Sequence, residues 1–382
     1  MKSTNKTFLT KPVARLLIAL ALIPAVPAPG RAQTGQRDLT RISIEDLMMI
    51  EITSAAKKEQ RAEDVAAAVF VITQDDIRRS GLRSLPELFR LVPGMQVAHV
   101  NSSMWAVSAR GFNDVFSNKL LVLIDGRSIY NHGFSGVFWE GEDLMLQNID
   151  RIEVIRGPGG TVWGANAMNG VINIVTKSAL DTTGTAFAVS AGTFERDQAS
   201  VRHGGSVGGL AYRVFSQWSD HGDSRDATGA PANDRWSSLA TGGRADWSRG
   251  GNAVMAHGTF TTGESHPQWH QLFSPSSGTP PSTDGVSDVR SSVFMGRWGH
   301  TRPDGSLFQV QAFSTTRLRD EATLWNRENI HDVELQYRTS LGARHDLVAG
   351  GGYRDDDVAT RPTFTLDISS SEKRIVNAFV QD

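Results

Sequence analysis

The pattern of apolar and polar positions changes character near residue 179. Before it, short apolar runs alternate with helical spacing. Val69–Thr73 reads as a buried strand. Thr73 or Gln74 then opens a helix with Asp75 and Asp76 in its first turn and Arg78 and Arg79 in its last, as the helix dipole favours, and Gly81 stops it. The run Ser84-Leu85-Pro86-Glu87 predicts a capping box, and Leu85, Leu88, Phe89 and Val92 an apolar helix face ended by Pro93-Gly94. Strands are predicted at Val97–His99, Trp105–Arg110 and Leu120–Ile124, with Asp125-Gly126 turning tightly into Arg127–Tyr130. Ile149–Ile155 and the β-branched Gly170–Thr176 complete a small α+β module over 56–178.

After 179 the beat is different. Segments of roughly ten residues alternate in polarity between turns, and about ten of them are legible. In Asp332–Arg338, residues Val333, Leu335 and Tyr337 point one way, and Asp332, Glu334, Gln336 and Arg338 the other. The same beat runs through Tyr212-Val214-Ser216-Trp218, Ser292-Phe294-Gly296-Trp298 and Phe308-Val310-Ala312. Trp218, Trp236, Trp247, Trp298 and Tyr353 suit an interfacial aromatic girdle. A soluble β-sandwich alternates in the same way, so the periodicity by itself leaves both architectures open.

The N-terminus bears on that choice. Lys2, Lys6, Lys11 and Arg15 precede an apolar run, Leu16–Val26, that ends in small residues and prolines. This is the plan of a secretory signal with cleavage after Ala32, and the run is too short to span a bilayer, which takes roughly 20 residues. The absence of cysteine fits an oxidising compartment and excludes thiolate chemistry. A net charge of −2 argues against a nucleic-acid partner. The glycines from Gly157 to Gly160 lack the lysine ending of a phosphate loop and read as turn glycines.

Five strings stand in order: Leu91–Val97, Ser108-Ala109-Arg110-Gly111-Phe112, Asn118–Arg127, Ile152–Pro158 and Trp163–Ile174. Together they resemble the plug domain of TonB-dependent outer-membrane receptors, over about residues 50–178. The resemblance implies a small α+β plug followed by the antiparallel strands of a 22-stranded transmembrane barrel in the cell outer membrane. It implies a transporter, not an enzyme, with no resident cofactor or metal. The cargo would be a ferric siderophore (an iron chelate), haem or cobalamin, moved to the periplasm by proton-motive force. The expected partners are the TonB C-terminal domain, outer-membrane lipid and the small-molecule ligand. The organisation that follows is a signal peptide at 1–32, a periplasmic segment at 33–55, the plug at 56–178 and barrel strands at 179–382.

Ile50, Glu51, Ile52, Thr53 and Ser54 alternate as a strand added to a partner would, and are the candidate coupling segment. Residues 33–55 are expected to be mobile if that segment is to be captured. In the plug, the aromatic loop with Tyr130, His132, Phe134 and Trp139, and Trp105 beside Asn101–Met104, are candidate ligand contacts expected near loop tips. The turn-rich stretch Gly263–Asp288 is expected to be an external loop, and adds His266, Trp269 and His270. The resemblance makes Arg110, Gly111, Asp125, Gly126, Arg127, Glu153, Arg156, Gly157, Pro158, Gly164, Asn166 and Gly170 the plug's structural motif. Arg110, Lys119, Glu153 and Arg156 are expected to pair with barrel residues. Asp75-Asp76 reads as a helix cap and Asp355-Asp356-Asp357 as a turn or loop charge run.

Length is the remaining expectation. A plugged lumen takes about 22 strands of roughly ten residues each, more than 179–382 supplies. This reading expects a receptor truncated after the first half of its barrel. The alternatives are a transport-incompetent fragment or a receptor that only binds its ligand.

Overall fold

The computed structural model describes residues 51–52, 60–61, 67–133, 135–266, 285–321, 324–342, 344–362 and 370–382. The predicted signal peptide lies outside them, as does the coupling segment apart from Glu51 and Ile52. Those two residues form β1 (Glu51–Ile52), antiparallel to β2 (Gln60–Arg61).

The plug is built on a five-stranded sheet: β3 (Ala68–Thr73), β8 (Ile149–Arg156), β9 (Gly170–Thr176), β6 (Leu120–Ile124) and β7 (Arg127–Ser128), in that spatial order. Only β6 and β9 run parallel. Both faces of the sheet are covered, which is why β6 reads as an unbroken apolar run. Leu120, Val122 and Ile124 join Ile152, Val154, Ile172 and Ile174 in the larger core. Leu121 and Leu123 join Ile155 and Val171 in a smaller one on the opposite face. Gly170 permits close strand approach: a Cβ there would stand 2.6 Å from the Ile155 carbonyl oxygen. At the predicted hairpin, Asp125 (φ 50°) and Gly126 (φ 85°) both take the left-handed backbone that a two-residue turn demands.

Helix α1 (Gln74–Ser80) begins on a capping box: Thr73 accepts from the Asp76 amide, and Asp76 accepts from the Thr73 amide. Gly81, at φ 71°, closes it. The capping box expected at Ser84 is absent. Helix α2 (Leu85–Leu88) is a single turn running into a 3-10 turn at Phe89–Leu91, and the Ser84 hydroxyl makes no cap bond. Burial of Leu85, Leu88 and Phe89 holds this segment in place of a cap. A two-stranded ribbon, β4 (Met95–His99) with β5 (Trp105–Ala109), and one further turn, α3 (Gly160–Trp163), complete the plug.

Ten antiparallel strands follow in one sheet, in chain order: β10 (Gly184–Ala191), β11 (Glu195–Val207), β12 (Leu210–His221), β13 (Trp236–Arg249), β14 (Asn252–Ser265), β15 (Ser287–Thr301), β16 (Leu307–Asp320), β17 (Trp325–Leu341), β18 (His345–Arg361) and β19 (Ser371–Gln381). β10 and β19 are its two edges. Turns at one end are short, as at 208–209 and 250–251, whereas the other end carries 222–235, 266–286 and 362–370.

The pairing register separates two faces. Phe187, Val189, Val214, Phe260, Phe294, Trp298, Val333, Leu335, Tyr353 and Val376 are all exposed and share one face. Such a continuous apolar band belongs against lipid. The opposite face carries Arg213, Gln217, Ser219, Arg244, Arg297, Arg317 and Glu328 and meets the plug.

Two sequence expectations fail here. Trp236 is not part of the girdle: it pairs with His221 on the plug-facing side and stacks on that imidazole at 4.3 Å. Asp355-Asp356-Asp357 is not a turn: it lies within β18, where strand alternation turns Asp356 inward and buries it. The predicted loop at Gly263–Asp288 is also shorter at both ends, because β14 and β15 extend into it through Ser265 and from Ser287.

Candidate functional site

The plug meets the sheet along two polar seams. The lower one gathers on Asp125, whose carboxylate accepts from the Thr176 amide at 2.8 Å and the Thr176 hydroxyl at 2.7 Å. Arg244 on β13 donates to the same hydroxyl at 2.8 Å, and Arg297 on β15 donates to the Asp125 carbonyl. The residues that set the tight turn thus also anchor it to the wall.

The upper seam is ionic and buried. Glu142 lies between Arg127 of its own plug and Arg317 of β16, each at 2.8 Å. Arg317 also reaches Glu328 on β17 at 2.9 Å. Burial works against the Glu142 charge, but Arg127 and Arg317 outweigh it and hold the carboxyl below its ordinary value. Beside this group, Arg319 pairs with Glu140 of the plug and with Glu321, and lies 4.7 Å from the Phe138 ring centroid. Asp143 differs. Its donors are neutral, namely Ser219, Ser238 and Gln217, so burial pushes its carboxyl up.

The aromatic plug loop ends in the same seam. The His132 amide and the Asn131 side chain each donate to Glu328 at 2.9 Å. The His132 ring has its Nδ1 against Asp356 of β18 and 3.7 Å from Glu328. Burial disfavours the imidazolium, but Asp356 and Glu328 outweigh it and His132 is pushed up to about 9. Tyr130 is buried and meets the His132 ring edge-on at 5.2 Å. At the long-connection end, Ser102 donates through its amide to Asp234 at 2.8 Å and through its hydroxyl to the Gly222 carbonyl at 2.7 Å.

The candidate contacts therefore separate. Trp105 and Trp139 are not at exposed tips. Both are buried in the plug core, Trp105 stacked on His99 at 3.9 Å and Trp139 packed on Phe89 at 5.5 Å. Apolar area and a shared core outweigh loop position for such large rings. Tyr130 and His132 stay at the seam. His266 bonds back to the Arg235 carbonyl at 3.1 Å. Phe134, Trp269 and His270 lie outside the described residues.

Of the motif charges expected to pair with the barrel, Arg110, Arg156 and Lys119 bond within the plug instead. Arg110 donates to the Arg156 carbonyl, Arg156 to the Pro93 carbonyl, Lys119 to Asn118, and Glu153 is bound by Arg151 at 2.9 Å. These contacts brace the plug internally. The pairing falls instead to Glu140, Glu142, Asp143 and His132. Their partners lie some 70 to 220 positions away in sequence, and the only local signal is the acidic run after Trp139.

Residues 61–171 match the family model described as TonB-dependent Receptor Plug Domain. Over 157 residues the chain is 30% identical to the Vitamin B12 transporter BtuB of Vibrio cholerae serotype O1, covering 41% of this chain and 25% of that relative. Over 151 residues it is 32% identical to BtuB of Vibrio vulnificus, covering 39% and 24%. Among solved structures it resembles the siderophore receptor PirA from Pseudomonas aeruginosa, with a TM-score of 0.59 at 19% identity over 82% of this chain and 52% of that one. The alcaligin outer membrane receptor FauA from Bordetella pertussis gives 0.62 at 16% identity over 86% and 54%. These likenesses show the fold. The chain spans about a quarter of the length of the curated relatives it matches and about half of the solved receptors.

Proposed function

This chain carries a TonB-dependent receptor plug domain seated against a partial outer-membrane barrel, and from that premise we propose that the protein takes a scarce chelate across the outer membrane by energised displacement of the plug. The observation that carries the reading is the seam itself. The plug is held to the wall by buried ion pairs and hydrogen bonds, with an apolar core of its own behind them. A domain attached in this way can be pulled or remodelled without unfolding the wall. No side-chain constellation for bond-breaking chemistry enters this reading.

The cargo is a ferric siderophore or a cobalamin, with haem the third candidate. The BtuB relatives favour a corrinoid and the solved neighbours a ferric chelate. It is received above the plug ribbon tip at 101–104 and the loop at 131–136, among the long connections that include 222–235 and 266–286. Tyr130, Phe134, His266, Trp269 and His270 are its candidate contacts. Trp105 and Trp139 shape the plug beneath them.

Coupling is assigned to Ile50–Ser54, which would pair with the TonB C-terminal domain as an added strand. Glu51 and Ile52 pair with Gln60 and Arg61, so the capturing strand either extends that ribbon or replaces its inner half. The test is uptake of labelled cobalamin and of ferric siderophores by outer-membrane-competent cells. Deleting Ile50–Ser54 is expected to abolish uptake of the bound chelate and leave surface binding intact. Uptake that survives the deletion removes this segment from the mechanism. Binding without uptake in the unaltered protein points to the binding-only alternative.

A further inference from the structure

The seam holds one group that neither plug anchoring nor chelate binding uses fully. His132 Nδ1, a Glu328 carboxylate oxygen and an Asp356 carboxylate oxygen all lie within 4.8 Å of one another. The three residues come from the plug loop, β17 and β18. Asp356 is 1% exposed, and neither of its carboxylate oxygens takes part in a well-formed hydrogen bond, although one stands against His132 Nδ1. Glu328 is better served: Arg317 and Asn131 hold one oxygen and the His132 amide the other. A buried carboxylate left short of donors is costly unless a cation completes it.

We propose that His132, Glu328 and Asp356 bind a divalent transition-metal cation of the zinc class, which staples the plug loop to two barrel strands. One imidazole and two carboxylates form a borderline-hard donor set that suits Zn2+ or Mn2+, with Zn2+ favoured by intrinsic affinity. At bonds of about 2.0–2.2 Å, the donors of a tetrahedral ion stand roughly 3.5 Å apart, so small side-chain rotations close this set. Charge agrees. The two adjoining ion groups contain five buried carboxylates (Glu140, Glu142, Glu321, Glu328 and Asp356) against three buried arginines. Arg317 and Asn131 would orient Glu328 from outside the coordination sphere, the usual support for a ligating carboxylate.

The experiment is a Zn2+ titration of the whole chain in detergent against a chromophoric competing chelator, with thermal midpoints read on the same samples. The expected result is one Zn2+ per chain and a raised midpoint. Asp356→Asn and His132→Gln are each expected to weaken binding at least tenfold and to abolish the Zn2+-dependent rise. Asp355→Asn, on the opposite face of β18, is expected to change neither. Metal-free midpoints close to the unaltered chain's separate loss of a ligand from loss of the fold; if one variant fails that check, the other carries the test. Absence of stoichiometric Zn2+ uptake, or affinity unchanged in the variants that pass, overturns the site and leaves an imidazolium–carboxylate pair only.

Discussion

Arg317 of the sheet donates to Glu142 of the plug at 2.8 Å, and both side chains are buried. Arg127 completes Glu142 from within the plug. The carboxylate is thus the shared counter-ion of two guanidinium groups on different domains. Removing it strands Arg127 and leaves Arg317 with Glu328 alone. Glu142→Ala is expected to destabilise the folded chain by about 3–5 kcal/mol, the usual cost of breaking a buried pair from one side. Replacing Arg127 and Glu142 together with apolar side chains is expected to cost less than that single change, because Arg317 keeps Glu328 as its partner and neither buried charge of the pair remains. Urea midpoints of the two variants check the order, and the reverse order would show that Glu142 is not the hub.

Asp143, the next residue, behaves oppositely. Burial raises its carboxyl, and its donors are neutral hydroxyl and amide groups. A group whose folded pKa lies above its unfolded value binds more protons when folded. Its stabilising contribution is therefore full at pH below the ordinary value of 3.8 and is lost as pH rises through the raised folded value. Asp143→Asn removes that dependence while keeping a hydrogen-bonding side chain. The midpoint of Asp143→Asn minus that of the unaltered chain is expected to become more positive from pH 4 to pH 7. A flat difference would mean that Asp143 titrates as an ordinary carboxyl.

The two predicted caps give a paired test. Thr73 and Asp76 satisfy each other's backbone amides, whereas the Ser84 hydroxyl makes no cap bond. Thr73→Ala is expected to cost about 1 kcal/mol. Ser84→Ala is expected to be neutral or slightly stabilising, since its buried hydroxyl has no hydrogen-bond partner to lose. Equal losses in a denaturant titration would restore the cap at Ser84.

Local chemistry and strand parity made much of this architecture legible. Asp125-Gly126 announced its turn because few other pairs accept two left-handed positions. The alternation in Asp332–Arg338 assigned faces correctly because period two is enforced by the pleat. The failures share a different cause. Ser84 carries a capping sequence, but the helix after it is a single turn that tightens into a 3-10 turn at Phe89–Leu91 before Pro93, and the Ser84 hydroxyl makes no cap bond. Asp356 looks like one acid in a loop triplet until its strand partner Ile330 turns it inward. Trp105 and Trp139 lie next to loops in sequence, yet they fill a core assembled from distant strands. The seam is the extreme case. The partners of Glu142 and His132 lie some 175 and 200 positions on, and only the folded register brings them together.

Parity also assigns the lipid face, and a single residue step tests it. Phe294 is exposed on the apolar band, 5.2 Å from the Phe260 ring, whereas Met295 turns inward and is buried with Met255, Phe313 and Ile330. Gln309 on β16 shares the inward face with Arg297 and Gln311 through the pairing of Gln309 with Gly299. An arginine at position 294 has to reach an interface or remain in hydrocarbon, at a cost of about 2–4 kcal/mol near the bilayer midplane. Gln309→Arg places the same charge among polar groups and water, where a much smaller loss is expected. Unfolding titrations of Phe294→Arg and Gln309→Arg in lipid vesicles, followed by tryptophan fluorescence, measure both. A larger loss at 309 than at 294 would invert the two faces, and with them the seating of the plug against the sheet.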